Sequence, residues 1–137
     1  MTSINVLENQ ISEVEKYLKI LSRYKKYTQL EIEKNIDLRG AVERYLYLAC
    51  QSAIDLAESY IAYRKFRKPQ SMNDTFYILE EEKIIDIDMR EIMIDMKGFR
   101  NFIAHDYGKI DYDVVFDVLK NKLPDLKKFS NIIEEKI

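Results

Sequence analysis

Apolar residues recur at steps of three and four along almost the whole chain, which is the spacing of one face of an α-helix. The first segment shows this pattern clearly, because polar residues fill the positions between its apolar ones. The pattern predicts a first amphipathic helix over about residues 3–26. Its apolar positions are Leu7, Ile11, Val14, Leu18 and Leu21.

The next segment carries a start signal for a second, longer helix. Thr28 and Glu31 have the spacing of a capping box, in which each side chain bonds the backbone N–H of the other. The helix is predicted to run to about residue 66. Gly40 lies inside it at a cost of about 1 kcal/mol relative to alanine, so the part before Gly40 is a candidate for a separate or frayed piece. The core stripe of this helix is Val42, Tyr45, Ala49, Ala53, Leu56 and Tyr60.

A third, shorter helix is predicted over about residues 72–82. Ser71 or Asn73 is placed as its cap, because short polar side chains accept hydrogen bonds from the first turn of a helix. Residues 83–88 then form a turn before the helical spacing resumes. The apolar anchors of this turn are Ile84, Ile85 and Ile87.

The last part of the chain predicts two or three further helices. A fourth helix ends before Gly108, since glycine readily adopts the left-handed conformation that follows many helices. Asp111 or Asp113 caps a fifth helix, and Pro124 fits either the first turn of a sixth helix or a kink in one continuous helix. The apolar positions of the fourth helix are Met89, Ile92, Met96, Phe99 and Ile103.

Together these elements predict an all-α fold, an antiparallel bundle of five or six helices that takes up residues 1–137 as one domain. Three glycines and two prolines are fewer turn residues than a sheet-rich fold of this length needs. The single cysteine, Cys50, is predicted to pack in the core. No signal peptide and no apolar run of about 20 residues is visible, so the chain is expected in the cytoplasm and not in a membrane.

The strongest candidates for chemistry lie near the end of the fourth helix. Arg100, His105 and Tyr107 combine a guanidinium that binds phosphate, an imidazole that moves protons and a hydroxyl that can orient a phosphate. Arg100 and His105 project about 140° apart around a helix, so they meet only through the reach of Arg100 or through a second chain. RNA cleavage through the 2′-hydroxyl needs an acid and a base, and a two-fold dimer that pairs two copies of His105 would supply both.

Other interpretations of these residues stay open. A histidine near a helix C-terminus often interacts with the helix dipole, and an arginine on a helix is commonly a solvated charge. Asn101 lies one turn before His105 and is a candidate to orient it. One histidine and one cysteine cannot build a zinc site, and the acidic residues are better explained as caps and solvated charges. No metal and no cofactor is therefore expected.

The second candidate is a basic and aromatic segment, residues 63–68. Its cations are Arg64, Lys65, Arg67 and Lys68, and they alternate with Tyr63 and Phe66. Nucleic-acid grooves use this mixture of cations and aromatic rings. The equally open alternative is that the cations only interact favourably with the negative C-terminal end of the helix. The formal net charge of −2 argues against a general nucleic-acid coat but allows a local basic patch that contacts RNA.

The spacing of Arg100, His105 and Tyr107 is the R-x-x-x-x-H-x-Y pattern of the HEPN ribonucleases. The chain resembles, more particularly, the HepT toxins of the HepT/MntA toxin–antitoxin systems, also described as the DUF86 family. The segments that carry the resemblance are residues 96–107 with the following 110–111, residues 41–44 and 50–57, and residues 71–85. Together they extend the resemblance over roughly residues 5–135.

The resemblance implies a HEPN-type bundle and a homodimer whose paired motifs form one composite, metal-independent ribonuclease site. It also implies a cognate partner, an MntA-like nucleotidyltransferase antitoxin that transfers AMP from ATP to the motif tyrosine, here Tyr107. The added nucleotide would put bulk and negative charge beside Arg100 and His105. The leading hypothesis is thus a ribonuclease toxin. The alternative, favoured by the acidic balance, is a non-catalytic helical module that scaffolds a nucleotidyltransferase.

Overall fold

The computed structural model describes residues 2–105 and 109–137. Every regular element in these residues is helical, which confirms the predicted all-α fold. None of the helices described is long and apolar enough to cross a membrane. The α-helices are α1 (Ile4–Ser22), α2 (Gln29–Lys34), α3 (Ile36–Arg64), α4 (Met72–Glu81), α5 (Ile87–His105), α6 (Tyr112–Asp117) and α7 (Leu123–Glu135).

Helix α3 lies at the centre of the bundle and packs against α1, α2, α4, α5 and α7. Small residues on its buried surface, among them Ala49, Ala53 and Ala57, let the surrounding helices approach closely. The predicted core stripe of this helix is confirmed, except that Tyr45 is only half-buried. Helix α3 is covered on most sides. The polar side chains that it still exposes are therefore candidates for a functional site.

The junction between α2 and α3 differs from the prediction of one long helix. The capping box is confirmed, because the Glu31 N–H donates to Thr28 Oγ1 at 3.2 Å and the Thr28 N–H donates to Glu31 Oε1 at 3.0 Å. The helix that begins there ends at Lys34, and the extended backbone of Asn35 separates it from α3. The Asn35 side chain accepts hydrogen bonds from the first turn of α3, so the break falls at a new cap and not at Gly40.

This cap makes a measurable contribution to stability. Replacing Asn35 with alanine is expected to lower the free energy of unfolding by about 1 kcal/mol, because two N–H groups of α3 lose their acceptor. Asn35→Asp keeps an acceptor at the same place and should stay close to the wild type. Urea denaturation followed by circular dichroism measures the difference. An Asn35→Ala midpoint equal to that of the wild type would show that something other than this cap sets the break.

Most predictions about the remaining helix boundaries are confirmed. Ser71 caps α4 and Asp111 caps α6, in each case the first of the two residues considered. In the turn before α5, Ile84 and Ile85 are buried as predicted. The prediction for Ile87 is wrong, because this residue begins α5 on its solvent side and is 58% exposed. The first helix ends at Ser22, about one turn earlier than the pattern predicted.

Pro124 combines the two alternatives considered for it. It lies in the first turn of α7, where its missing N–H leaves no helical hydrogen bond unmade. The helical backbone nevertheless continues from α6 into α7 through a π-helical turn, Val118–Lys122. A proline ring clashes with the carbonyl group four residues earlier, and the wider π-helical turn gives that ring space.

Candidate functional site

The end of α5 carries the two described residues of the R-x-x-x-x-H-x-Y pattern. Helix α5 stays α-helical up to His105, its last described residue. Buried Met96 and Phe99 fix its rotation, so that Arg100 turns toward the interior and is partly buried while His105 is exposed. The two side chains therefore leave the helix about 140° apart, as the periodicity predicted.

Arg100 is held by side chains from three helices. Its Nε and Nη2 donate to Asn101 Oδ1 at 3.1 and 2.6 Å, and its Nη1 donates to Gln51 Oε1 of α3 at 2.5 Å. Nη2 also lies 3.4 Å from the sulfur of Met72, the first residue of α4. A guanidinium with this set of partners is a positioned group, which argues against the interpretation of Arg100 as a solvated helix charge.

The contact with Gln51 continues along α3. Gln51 Nε2 donates to Asp55 Oδ1 at 2.8 Å, which fixes the amide so that its oxygen faces Arg100. Glu58 lies one turn further on, and its pKa is raised by burial and by the nearby charge of Asp55, while the charge of Arg100 acts in the opposite direction. The charge of Arg100 thus reaches the carboxyl group of Glu58 on α3.

The remaining predicted residues of the motif divide into two groups. Asn101 was predicted to orient His105, but its side-chain oxygen contacts Arg100 instead. A contribution of Asn101 to His105 stays a prediction. Tyr107, predicted as a catalytic residue and as the site of AMP attachment, lies outside the described residues, and so do Asp106 and the predicted C′ residue Gly108.

A groove of about 360 Å³ opens between α3 and the last turn of α5, directly before His105. Since Gln51 contacts Arg100 while earlier residues of α3 meet later residues of α5, the two helices run antiparallel here. The residues that line the groove are Glu43, Arg44, Tyr47, Ile103 and Ala104.

The charge of this groove comes mainly from Arg44. The carboxylate of Glu43 is engaged elsewhere, because its Oε2 accepts hydrogen bonds from Arg39 Nε at 3.1 Å and from the Tyr112 hydroxyl. Burial, and then this hydrogen bond, raise the pKa of Tyr112 well above its ordinary value, so the phenol stays protonated. Arg44 is exposed, and its guanidinium carbon lies 5.7 Å from the centre of the Tyr47 ring.

The basic segment 63–68 lies at the opposite end of α3 from this groove. Arg64 is 13 residues, or roughly 20 Å along the helix, beyond Gln51 and away from His105. The charge of Arg67 is matched by two carboxylates, with Nη atoms at 2.8 and 3.0 Å from Asp74 and further bonds to Glu81. RNA binding by Arg64, Lys65, Arg67 and Lys68 stays a prediction, and Arg67 is its least available member.

Other kinds of chemistry have little support in the part of the chain that the structure describes. It contains no group of three or more histidine, cysteine, aspartate and glutamate residues placed to hold a metal ion. Cys50 is buried in the core, as predicted, and burial raises the pKa of its thiol to about 12. A thiol with that pKa is protonated at neutral pH and is a poor nucleophile.

The α3 residues of this region are not among the site residues predicted from the sequence. A signal was nevertheless present, because they recur at helical spacing on a helix whose other faces are buried. A polar stripe on the central helix of a bundle indicates either an interface or a site. Its members are Arg44, Tyr47, Gln51, Asp55 and Glu58.

Comparison with known families gives one match over most of the chain. The sequence model of the family described as "Ribonuclease HepT-like" matches residues 7–133. A relative from Shewanella oneidensis named mRNA nuclease HepT is 27% identical over 104 residues, which is 76% of this chain and 78% of the relative. A relative from Aphanizomenon flos-aquae named tRNA nuclease HepT is 25% identical over 118 residues, 85% of this chain and 80% of the relative.

Solved structures have the same fold. A tri-AMPylated HEPN toxin of Shewanella oneidensis, in complex with an MNT antitoxin, superposes with a TM-score of 0.87 at 23% identity. The superposition covers 97% of this chain and 99% of that toxin. This match confirms the arrangement of helices that surrounds Arg100 and His105.

Proposed function

We propose that this chain, which belongs to the family of HepT-like ribonucleases, is the toxin subunit of a toxin–antitoxin pair and cleaves RNA without a metal ion. One observation carries the proposal: α5 presents an exposed His105 at its end and, five residues earlier, an Arg100 held in place by Asn101, Gln51 and Met72. Both relatives compared above are named as HepT nucleases of RNA, which supports the same activity.

The proposed site is composite and lies at the interface of a homodimer. One chain has a single histidine, and its Arg100 faces the interior while His105 faces outward. Two copies related by a two-fold axis near the end of α5 would bring together two histidines and two arginines. The site then has an acid, a base and two phosphate-binding groups, none of which needs a metal ion.

The reaction balances with these groups alone. One imidazole takes the proton of the RNA 2′-hydroxyl as that oxygen attacks the phosphorus, and the bond from phosphorus to the 5′-oxygen breaks. The second imidazole, which begins protonated, gives its proton to the departing 5′-oxygen. The products are a 2′,3′-cyclic phosphate and a 5′-hydroxyl. The phosphate takes the place of Asn101 Oδ1 on the Nε–Nη2 edge of Arg100, a fork that matches two phosphate oxygens.

The proposed partner is a nucleotidyltransferase antitoxin in the cytoplasm, where RNA and ATP are available. The Tyr107 hydroxyl attacks the α-phosphorus of ATP in the active site of that partner, a phosphodiester-linked AMP forms on the tyrosine oxygen and pyrophosphate leaves. The likeness to a tri-AMPylated toxin with its antitoxin supports this step. The modification would place an anion two residues from His105, where it competes with RNA phosphate for Arg100.

The activity test uses the purified, unmodified protein with single-stranded RNA in EDTA. Cleavage that persists in EDTA and leaves 2′,3′-cyclic phosphate ends is the expected result. Activity that EDTA abolishes and Mg²⁺ restores would overturn the metal-independent mechanism. A protein that binds an antitoxin but cuts no RNA under any of these conditions would favour the alternative, a non-catalytic scaffold for the nucleotidyltransferase.

Gln51 is expected to act as a positioning residue for Arg100. Gln51→Leu keeps most of the side-chain volume but removes the acceptor 2.5 Å from Nη1, so the guanidinium loses its α3 partner. The expected result is a fall in kcat/KM of about 10- to 100-fold, with the fold retained. Gln70→Leu, which changes an exposed glutamine in the loop before α4, is the matched control. An unchanged kcat/KM for Gln51→Leu would show that Arg100 needs no support from α3.

A further inference from the structure

The groove between α3 and α5 is adjacent to the proposed catalytic region. On α3, Tyr47 lies four residues before Gln51, and on α5, Ala104 lies four residues after Arg100. Because the helices run antiparallel, both steps advance about 6 Å in the same direction. The groove therefore lies about one turn beyond the contact between Gln51 and Arg100, and its lining on α5 ends at Ala104, the residue before His105.

The groove contains groups of the kinds that bind a nucleotide. Arg44 supplies an exposed guanidinium, Tyr47 a half-buried aromatic ring, and Ile103 with Ala104 an apolar wall. Guanidinium groups pair with phosphate, and aromatic rings contact the faces of bases without selecting one base. A volume of about 360 Å³ falls in the range of small-ligand sites.

The neighbouring carboxylate does not cancel this cation. Glu43 lines the same groove, but its Oε2 already accepts hydrogen bonds from Arg39 and from the Tyr112 hydroxyl. The high pKa of that hydroxyl keeps it a donor over the whole neutral range. The Glu43 carboxylate is thus paired with Arg39, and Arg44 gives the groove a positive charge.

We propose that this groove binds the nucleotide of single-stranded RNA next to the scissile phosphate, with Arg44 on that nucleotide's own phosphate and Tyr47 against its base. The proposal rests on the ribonuclease function proposed above and gives it a substrate class. Duplex RNA keeps its bases stacked on each other, so no base is free to lie on Tyr47. Preference for single strands over duplexes, with weak base selectivity, follows from these contacts.

Cleavage kinetics test the proposal with a short single-stranded RNA that carries a fluorophore and a quencher, in EDTA. Arg44→Gln and Tyr47→Leu are each expected to raise KM about tenfold and to leave kcat within about twofold, since neither residue contacts the reacting atoms. Tyr47→Phe keeps the ring and should retain the wild-type KM. Lys128→Gln removes an exposed charge on α7, outside the groove, and should change neither constant.

A binding measurement separates this inference from the proposed function. Fluorescence anisotropy of the labelled RNA is recorded with His105→Ala as the background, so that cleavage is negligible during the measurement. Adding Arg44→Gln should weaken binding about tenfold and lower the slope of log affinity against log salt by about one. Lys128→Gln, added to the same background, should leave that slope unchanged.

Each outcome bears on the groove. A wild-type protein that cuts no RNA overturns the proposed ribonuclease function, whereas the anisotropy series still reports whether the groove binds RNA. Unchanged KM and affinity in Arg44→Gln and Tyr47→Leu would overturn the nucleotide site. Dissociation of these variants into monomers, measured by sedimentation velocity, would also overturn it, because the groove would then be a contact between subunits.

Discussion

Replacing His105 with alanine is expected to reduce the rate of RNA cleavage at least a thousandfold, which is the largest single effect predicted for this chain. General acid–base catalysis typically contributes about 10²- to 10⁴-fold, and in the proposed dimer the same substitution removes both the acid and the base. His105 is exposed at the end of α5, so the variant should fold normally. Cleavage of labelled RNA in EDTA, with circular dichroism as the folding control, measures the effect.

Mixed dimers test whether cleavage needs both histidines of a dimer. When equal amounts of wild-type and His105→Ala chains are unfolded together and refolded, about one quarter of the dimers contain two intact histidines and about half contain one. A site that needs both histidines should then show about one quarter of the wild-type activity. An activity near one half would mean that each chain works alone, and it would contradict the composite site. Arg100→Lys, which keeps the charge but loses the fork, tests the phosphate contact in the same assay.

Helical periodicity predicted the fold well because nearly every helix of the bundle buries one apolar face in the core. The break between α2 and α3 shows the limit of that signal, because it falls at Asn35 and not at Gly40, where it was considered. Ile36 follows Ile32 by four residues, so the apolar spacing continues across the break as though one helix ran through it, yet Ile32 is buried and Ile36 is 82% exposed. What separates the two helices is the hydrogen bonding of a single asparagine side chain, and a polar side chain can cap, turn or remain solvated without changing the apolar pattern.

The candidate site was predictable only where it is local in the sequence. The spacing of Arg100 and His105 belongs to one helix, and the structure keeps it. The partners of Arg100 lie far away in the sequence, Gln51 at 49 residues and Met72 at 28, and they meet it because α3, α4 and α5 pack with a particular rotation. That rotation is set by the whole core, so no short motif reports it. The groove at Arg44 and Tyr47 depends on the same packing.

Modification of Tyr107 is the second prediction with a large expected effect. Expression together with a cognate MntA-like nucleotidyltransferase should add the mass of one or more AMP groups to the intact protein. The adduct should be absent from Tyr107→Phe. Ten tyrosines are present in the chain, so peptide mapping must assign the position. Tyr77→Phe, which removes the hydroxyl of an exposed tyrosine on α4, is the matched control and should still gain the adduct.

The modified protein should cleave RNA about 100-fold more slowly than the unmodified protein or slower still. The phosphate of the attached AMP would pair with the cations that otherwise bind the scissile phosphate. Removal of AMP by a phosphodiesterase should restore the rate, while Tyr107→Phe should stay active in the presence of the partner and ATP if its hydroxyl is not needed for cleavage itself. A Tyr107→Phe protein that is inactive without any partner would instead assign the hydroxyl to the reaction. No mass gain with an active partner would show that Tyr107 is not the site of regulation and that the partner inhibits by binding alone. The partner should then inhibit Tyr107→Phe as strongly as it inhibits the wild type.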